Sequence, residues 1–236
     1  MSVASAAGEQ ERLVDAAITG RRSIRAFLDT PVPRSTIEEI LAVASRAPSG
    51  SNTQPWQVIV LAGEAKLRLS RRILAAHDDP EALATHHQEY SYYLDEWVSP
   101  YIERRRKTGW GLYGLLGIGR EDKARMHAQH GRNFCFFDAP VGLIFTIDRI
   151  MGQGSWLDYG MFLQNVMVAA RARGLDTCPQ AAFTRFHRIV ADELGIPAQR
   201  MLVCGMSLGH ADPAAPENAL LTEREAVGAF TRFEGL

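Results

Sequence analysis

The sequence predicts an α+β fold, a central sheet covered by helices. Two patterns carry that expectation. Four short β-branched or apolar runs, too brief for buried helices, alternate with segments whose apolar residues fall on one helical side, and glycine or proline closes several of them. The 236 residues, 46% of them hydrophobic, can bury a sizeable core within a single domain over residues 1–236.

In chain order, residues 9–19 suit a helix with Leu13, Ala16, Ala17 and Ile18 on one side, ended by Thr19 and Gly20. Ser35 followed by Glu38 reads as a capping box. It opens a helix to about Arg46 that buries Ile37, Ile40, Leu41 and Ala44 and stops before Pro48. The run WQVIVL, residues 56–61, has the pattern of a strand buried on both faces. Residues 141–147, 200–208 and, more briefly, 175–178 supply three further strands. A long helix is expected over about 155–173, capped by Gly174, and another over about 186–194.

Residues 64–138 differ: they are helical in pattern, rich in His, Tyr and Arg, and read as an excursion over the sheet edge. Aromatic residues in its middle stand beside Gly and Pro. They suit either a movable wall for flat ligands or a patch buried against the core. The tail after Gly209 ends with Val227, Phe230 and Phe233, apolar enough to need cover from a partner subunit.

A net charge of −1 argues against nucleic acid or an acidic membrane as main partner, because a phosphate-tracking surface needs a basic excess. Cys135, Cys178 and Cys204 offer neither a paired framework nor metal-finger spacing, which points to a reduced, intracellular setting. No apolar run reaches the roughly 18 residues of a membrane span, and the N-terminus lacks a basic start followed by an apolar stretch. A cytoplasmic location is therefore expected.

Two stretches bear on chemistry. RRSIRAF, residues 21–27, gathers the guanidinium groups of Arg21, Arg22 and Arg25 around the hydroxyl of Ser23, and fork-shaped donors suit a phosphate. RAPSGSNTQPW, residues 46–56, sets Ser49, Ser51, Asn52 and Gln54 between Pro48 and Pro55, a loop able to meet the edge of a flat heterocycle. Singly, the first is an ordinary solvated basic edge and the second an ordinary loop. Held at a fixed separation by the helix between them, they read as two walls of one anion- and flavin-binding site.

Other motifs fail on context. GWGLYG, residues 109–114, spells a dinucleotide fingerprint but leaves no strand and opens no helix. GMSLG, residues 205–209, spells a hydrolase elbow, yet no helix follows and only His210 and Asp212 stand nearby. His86, His87, His127 and His130 lack a completing ligand cluster and read as a solvated helix face. Cys178 reads as a small apolar residue at a strand end.

With those residues set out, the chain resembles the FMN-dependent nitroreductase family, and within it nitrobenzoate-reductase-like members. That family carries an Arg-x-Ser-x-basic motif followed by a Pro-Ser-x-x-Asn-x-Gln-Pro-Trp loop, as at 21–25 and 48–56 here. GLDTCPQAAF, residues 174–183, is similar to its strand-to-loop segment along the flavin ring, and Arg224 stands where it has a late phosphate-binding arginine. The resemblance implies a mostly antiparallel central sheet flanked by helices, with an arm over about 209–236 crossing to the partner subunit. It implies FMN, with Arg21 and Arg224 on the phosphate, Arg22 and Ser23 on the phosphate and ribityl chain, and Arg25 at the pyrimidine edge.

Pro179, Gln180, Ala181 and Ala182 would back the ring, while Pro48, Ser49, Ser51, Asn52 and Gln54 would come from the other subunit of a homodimer. The implied chemistry is ping-pong: NADH or NADPH delivers hydride to the flavin, and a small nitroaromatic or quinone-like acceptor takes it, with no protein acid or base. Ala181 and Ala182 replace an acidic residue and a glycine found in some members, which alters the expected contacts to nicotinamide. The RRSIR form is also similar to flavin deiodinases, whose lid would here be sought at Glu89, Tyr93 and Lys107, with Glu89 and Tyr93 an i, i+4 pair. A flavin-binding protein without turnover is the remaining alternative.

Overall fold

Strands β1 (Gln57–Ala62), β2 (Val141–Asp148), β3 (Asp176–Gln180) and β4 (Arg200–Gly209) form one antiparallel sheet in the order β1-β2-β4-β3. The computed structural model describes residues 3–235; residues 1, 2 and 236 of the expected domain lie outside the described residues. Among the described residues, eight α-helices accompany the sheet: α1 (Val3–Gly20), α2 (Arg34–Ala44), α3 (Gly63–Asp78), α4 (Pro80–Thr85), α5 (Tyr101–Leu115), α6 (Lys123–Gly131), α7 (Gln153–Arg171) and α8 (His187–Leu194). This is the α+β architecture that the alternation of short apolar runs and amphipathic segments predicts.

Alternation along β2 divides the core. Val141, Leu143, Phe145 and Ile147 face one layer with Ile37, Ile40 and Ala44 of α2 and Tyr159, Phe162 and Val166 of α7. Ile144 faces the other, with Leu69 and Ile73 of α3, Val190 of α8 and the rings of Phe134, Phe136, Phe183 and Phe186. Phe183 lies over Gly205 so closely that a Cβ there would sit 2.5 Å from the ring. That contact presses the 3₁₀ turn Ala181–Phe186 onto β4.

Three expectations need correction. β1 is not buried on both faces; as the outer strand it leaves Val60 41% exposed, because only β2 pairs with it. The capping box does not form. Pro33, with φ −60° and ψ 143°, is the N-cap, so the helix starts two residues early and Glu38 instead pairs with Arg34 at 2.7 Å. The excursion is only partly one, since α3 is a core layer and residues 86–100 are irregular rather than helical.

That irregular stretch is anchored where β4 runs past the end of β3, which pairs no further than Gly205. The β2–β4 register shifts at Phe145/Thr146, leaving a bulge at Val203. Glu89 Oε2 accepts from Leu202 N at 2.8 Å and Tyr90 Oη donates to Val203 O at 2.6 Å, so the excursion satisfies backbone groups that the sheet leaves open.

Candidate functional site

Residues 21–28 lie along the sheet margin. Ser23 bridges Thr177 in parallel, Ile24 N donates to Thr177 O at 3.1 Å, and Leu28 N donates to His210 O at 2.9 Å. Ile24, Ala26 and Phe27 are buried, so Arg21, Arg22 and Arg25 remain accessible. The buried Asn218, in the 3₁₀ turn Pro216–Ala219, accepts from Arg25 N at 2.9 Å and donates to Ala26 O and Asp212 O. Arg22 donates to Asn218 O at 2.9 Å, so Arg22 is partly committed to holding this turn.

Arg25 stands on the wall of a cavity of about 370 Å³ whose floor is Cys178, Pro179, Gln180, Ala181 and Ala182. Burial pushes the Cys178 thiol up to about 11, which leaves it the inert strand-end residue the sequence suggests. Gln180 is itself buried: its Nε2 donates to Asn133 O at 2.7 Å and its Oε1 accepts from Ser207 Oγ at 2.8 Å. Its side chain therefore fixes the wall to β4 and leaves ligand contact to the backbone.

Arg21 and Arg224 are brought near one another. Burial lowers the Arg21 pKa first, and the charge of Arg224 lowers it further. Among the described residues neither has an acidic partner; Arg224 donates only to Thr222 and to Glu223 O, its own neighbours. Arg224 lines a second cavity with Arg104 and Lys107, where the arm is pinned to α5 by Arg104–Glu225 at 2.8 Å and Lys107–Glu223 at 2.7 Å. Two guanidinium groups that feel one another's charge and have no carboxylate partner suit a phosphate, and the same segment places Arg25 on the cavity lined by Pro179, Gln180, Ala181 and Ala182; these residues fit FMN.

Pro48, Ser49, Ser51, Asn52 and Gln54 do not line that cavity in the same chain. They form an exposed loop tied to α7 by Gly50 N donating to Asp158 Oδ2 at 3.0 Å, and Gln54 N donates to Ser49 Oγ at 3.0 Å. Ser51, Asn52 and Gln54 have φ of 51°, 57° and 48°, a left-handed conformation that costs non-glycine residues energy and concentrates at functional loops. The two stretches paired in the sequence reading are thus not two walls of one site within one chain.

Gln88, Gln129, Asn133 and Arg185 line the cavity without any motif in the sequence, and Tyr93 and His130, which the sequence offers only for a lid and a metal cluster, line it too. His127 and His130 are exposed on α6, as a solvated helix face requires, and His130 also lines the cavity, where desolvation by its surroundings, then His77 and His127, lowers its pKa to about 4. Exposed Tyr93 and Tyr101 also favour the wall reading over the buried patch, as both line an aromatic hollow continuous with the cavity through Arg25 and Leu112.

His77, Asp78 and His127 do converge, beyond what the sequence reading allowed. Their geometry is nonetheless that of packing: the His77 and His127 rings stack at 4.0 Å and 3°, so their in-plane lone pairs run side by side, and His127 Nε2 is spent on Asp78 Oδ1 at 2.9 Å. The glycine fingerprint at 109–114 lies inside α5 and the serine of GMSLG is buried in β4, hydrogen-bonded to Gln180. The deiodinase-like lid does not assemble either. Glu89 sits outside any helix and is held by Leu202 N and Arg149, while Lys107 pairs with Glu223.

A model of the Nitroreductase family matches residues 18–210. A 4-nitrobenzoate reductase of Pseudomonas putida is 48% identical over 94% of this chain and 95% of its own. A nitrobenzene nitroreductase of Ectopseudomonas oleovorans is 42% identical over 93% and 96%. The crystal structure of the FMN-dependent nitroreductase NfnB from Mycobacterium smegmatis in complex with NADPH superposes with a TM-score of 0.89 at 32% identity, covering 95% of this chain and 99% of that one.

Proposed function

The chain belongs to the nitroreductase family, and on that footing we propose that it is an FMN-dependent oxidoreductase that uses NAD(P)H to reduce nitroaromatic compounds. The observation that carries this reading is the pairing of Arg21 with Arg224, two cations without a carboxylate, next to a cavity floored by Pro179–Ala182 backbone. Arg21 and Arg224 would hold the phosphate, with Arg22 and Ser23 beside them. Arg25, unpaired on the cavity wall, favours negative charge on whatever ring edge meets it.

FMN, when bound, supplies two-electron chemistry, accepting hydride from a nicotinamide and passing it to an electron-poor acceptor. The chain's own part is positional. The Gln180 ties to Asn133 and Ser207 keep the floor rigid, and Tyr93, Leu112 and Tyr113 offer an apolar wall against which a flat ring can stack and from which water is displaced. No side chain is assigned as acid or base. The family relatives reduce both a carboxylated and an uncharged nitroarene by name, at 48% and 42% identity, so overall likeness leaves the choice of ring substituent to the pocket.

The site is completed by a second copy of the chain in this reading. The strained loop 48–54 is exposed, and Leu13, Ile18 and Val43 are exposed on α1 and α2, as are Val227, Phe230 and Phe233 on the arm. Among the described residues no helix is long and apolar enough to cross a membrane; we place the protein in the cytoplasm.

Anaerobic mixing with NADH, then NADPH, tests the activity. Bleaching of flavin absorbance and its return on adding a nitroarene are expected; a flavin that neither nucleotide reduces would overturn the assignment. Co-expressing Arg21→Ala and Asn52→Ala subunits tests the shared site. Recovery of activity in the mixed dimer, with neither variant active alone, is expected of residues that meet across an interface.

A further inference from the structure

Tyr93 reaches the cavity from a segment with few ties of its own. Residues 86–100 lie between α4 and α5 without helix or strand, and among the described residues no backbone-to-backbone hydrogen bond involves residues 87–97. Such a stretch owes its path to side-chain contacts. The hydrogen bonds that join it to other elements all belong to two adjacent residues, Glu89 and Tyr90. Gln88 and Tyr93, on either side of that pair, both line the cavity.

The Glu89 side chain is 5% exposed, and its carboxylate is met on both oxygens. Oε2 accepts from Leu202 N at 2.8 Å, while Oε1 pairs with Arg149 Nη2 and lies 3.4 Å from His187 Nδ1. Arg149 is itself held, its Nε donating to Ala198 O at 2.8 Å. A carboxylate removed from water to this degree is tolerated only while such donors stay in place, so its position is narrowly set. Next to it the Tyr90 hydroxyl donates to Val203 O, and the Tyr90 ring packs edge-on against Trp156 of α7 with centroids 4.7 Å apart. Edge contacts then lead on to the cavity, Tyr92 lying 6.4 Å from Tyr90 and 4.8 Å from Tyr93. Glu89 does not line the flavin cavity; it borders a separate hollow of about 230 Å³ with Arg149 and His187.

We propose that Glu89 is a positioning residue for the reductase: clipped to Leu202 N, Arg149 and His187, it fixes the segment so that Tyr93 stands where a nitroarene stacks, and it touches neither flavin nor substrate. The inference rests on the reading of the Tyr93 cavity as a nitroarene site. Loss of the clip frees Tyr93 while leaving Arg21, Arg25 and Arg224, the cations assigned to the flavin, untouched.

Wild-type and variant holoenzymes are compared with nitrobenzene at saturating NADPH. Glu89→Ala is expected to raise the nitrobenzene KM about tenfold, the scale of one lost aromatic contact, with kcat and the FMN dissociation constant changed less than about twofold. Glu89→Gln keeps a carbonyl for Leu202 N and should fall between. Tyr93→Ala should raise KM to a similar degree, and adding Glu89→Ala to it should raise KM no further, because both act through one ring. Arg149→Met serves if Glu89→Ala does not fold; its smaller rise should likewise vanish in the Tyr93→Ala background. Effects that multiply in the double variant would overturn the proposal, as would FMN affinity falling as far as nitrobenzene affinity. So would a Glu89→Ala enzyme that unfolds at lower temperature but keeps its KM. Flavin difference spectra of the oxidised holoenzymes titrated with nitrobenzene give the same comparison as dissociation constants, without turnover. A wild type that binds nitrobenzene and does not reduce it overturns the reductase reading alone; a dissociation constant unshifted in Glu89→Ala overturns this one.

Discussion

The side-chain carbonyl of Asn218 accepts the backbone N–H of Arg25 at 2.9 Å, although 193 positions separate them. The same amide donates to Ala26 O and Asp212 O, so one buried residue late in the chain sets the path of the arginine-rich segment. Asn218→Ala takes the partner from Arg25 N and Asp212 O, while Ala26 O keeps the N–H of Asp212, and should cost about 1–2 kcal/mol. Urea unfolding of the flavin-free protein measures it, and FMN retention should fall with it because Arg25 loses its support. An unchanged midpoint would contradict the clamp.

Arg21 and Arg224 should act on one phosphate. Each alanine substitution is expected to weaken FMN binding about tenfold to a hundredfold, in line with loss of a charged hydrogen bond. The double variant should lose less than the product of the two, because partners of one group are coupled. Flavin fluorescence titration gives all three values, and strict additivity would place the two arginines on separate sites.

Gly205 exists for Phe183. A methyl group there would lie 2.5 Å from the ring, so Gly205→Ala is expected to destabilise by about 1–3 kcal/mol through overpacking and to displace the turn carrying Ala181 and Ala182. Adding Phe183→Leu should recover part of the loss. If the double variant is no more stable than Gly205→Ala, the ring is not the cause.

Acid should weaken the fold through its histidines. His130 is held down to about 4, and His77 and His86 are lowered too, in each case chiefly by burial. Above the ordinary histidine range both folded and unfolded states are neutral there. As pH falls below about 6.5 the unfolded chain takes up protons first, so stability drops and goes on dropping towards the folded value near 4 for His130. Thermal unfolding at a series of pH values should show this slope, and His130→Gln should flatten it.

Ser51 carries strain without burial. At φ 51° and exposed, it should tolerate glycine with little change, since relief of about 1 kcal/mol offsets the entropy of the freer unfolded chain. Ser51→Val, branched at Cβ, should lose at least about 1 kcal/mol. Comparable urea midpoints for the two would show that the loop is not held left-handed.

Legibility in the sequence followed locality. The strands at 141–147 and 200–208 and the glycine at 174, left-handed at φ 71°, were readable because apolar runs and glycine act within a few residues. The helix start at Arg34 was misread because Pro33 fixes φ whatever Ser35 and Glu38 offer. Arg185 and Gln129 left no trace. Their place comes from α6, the turn after β3 and the stretch near residue 88 converging on one cavity, and no spacing encodes such convergence.

By itself the sequence determined the α+β class, the core-facing Ile37, Ile40 and Ala44 of α2, and the presence of an arginine-rich segment before that helix, since each depends on residue type and short period. Tertiary structure alone decided the rest. It brought Arg224 to Arg21, locked Gln180 away as scaffold, held Glu89 on β4, and left the loop at 48–54 outside its own chain's cavity. The physical reason is that charge coupling and burial depend on distances through space, which a chain acquires only when non-local surfaces pack.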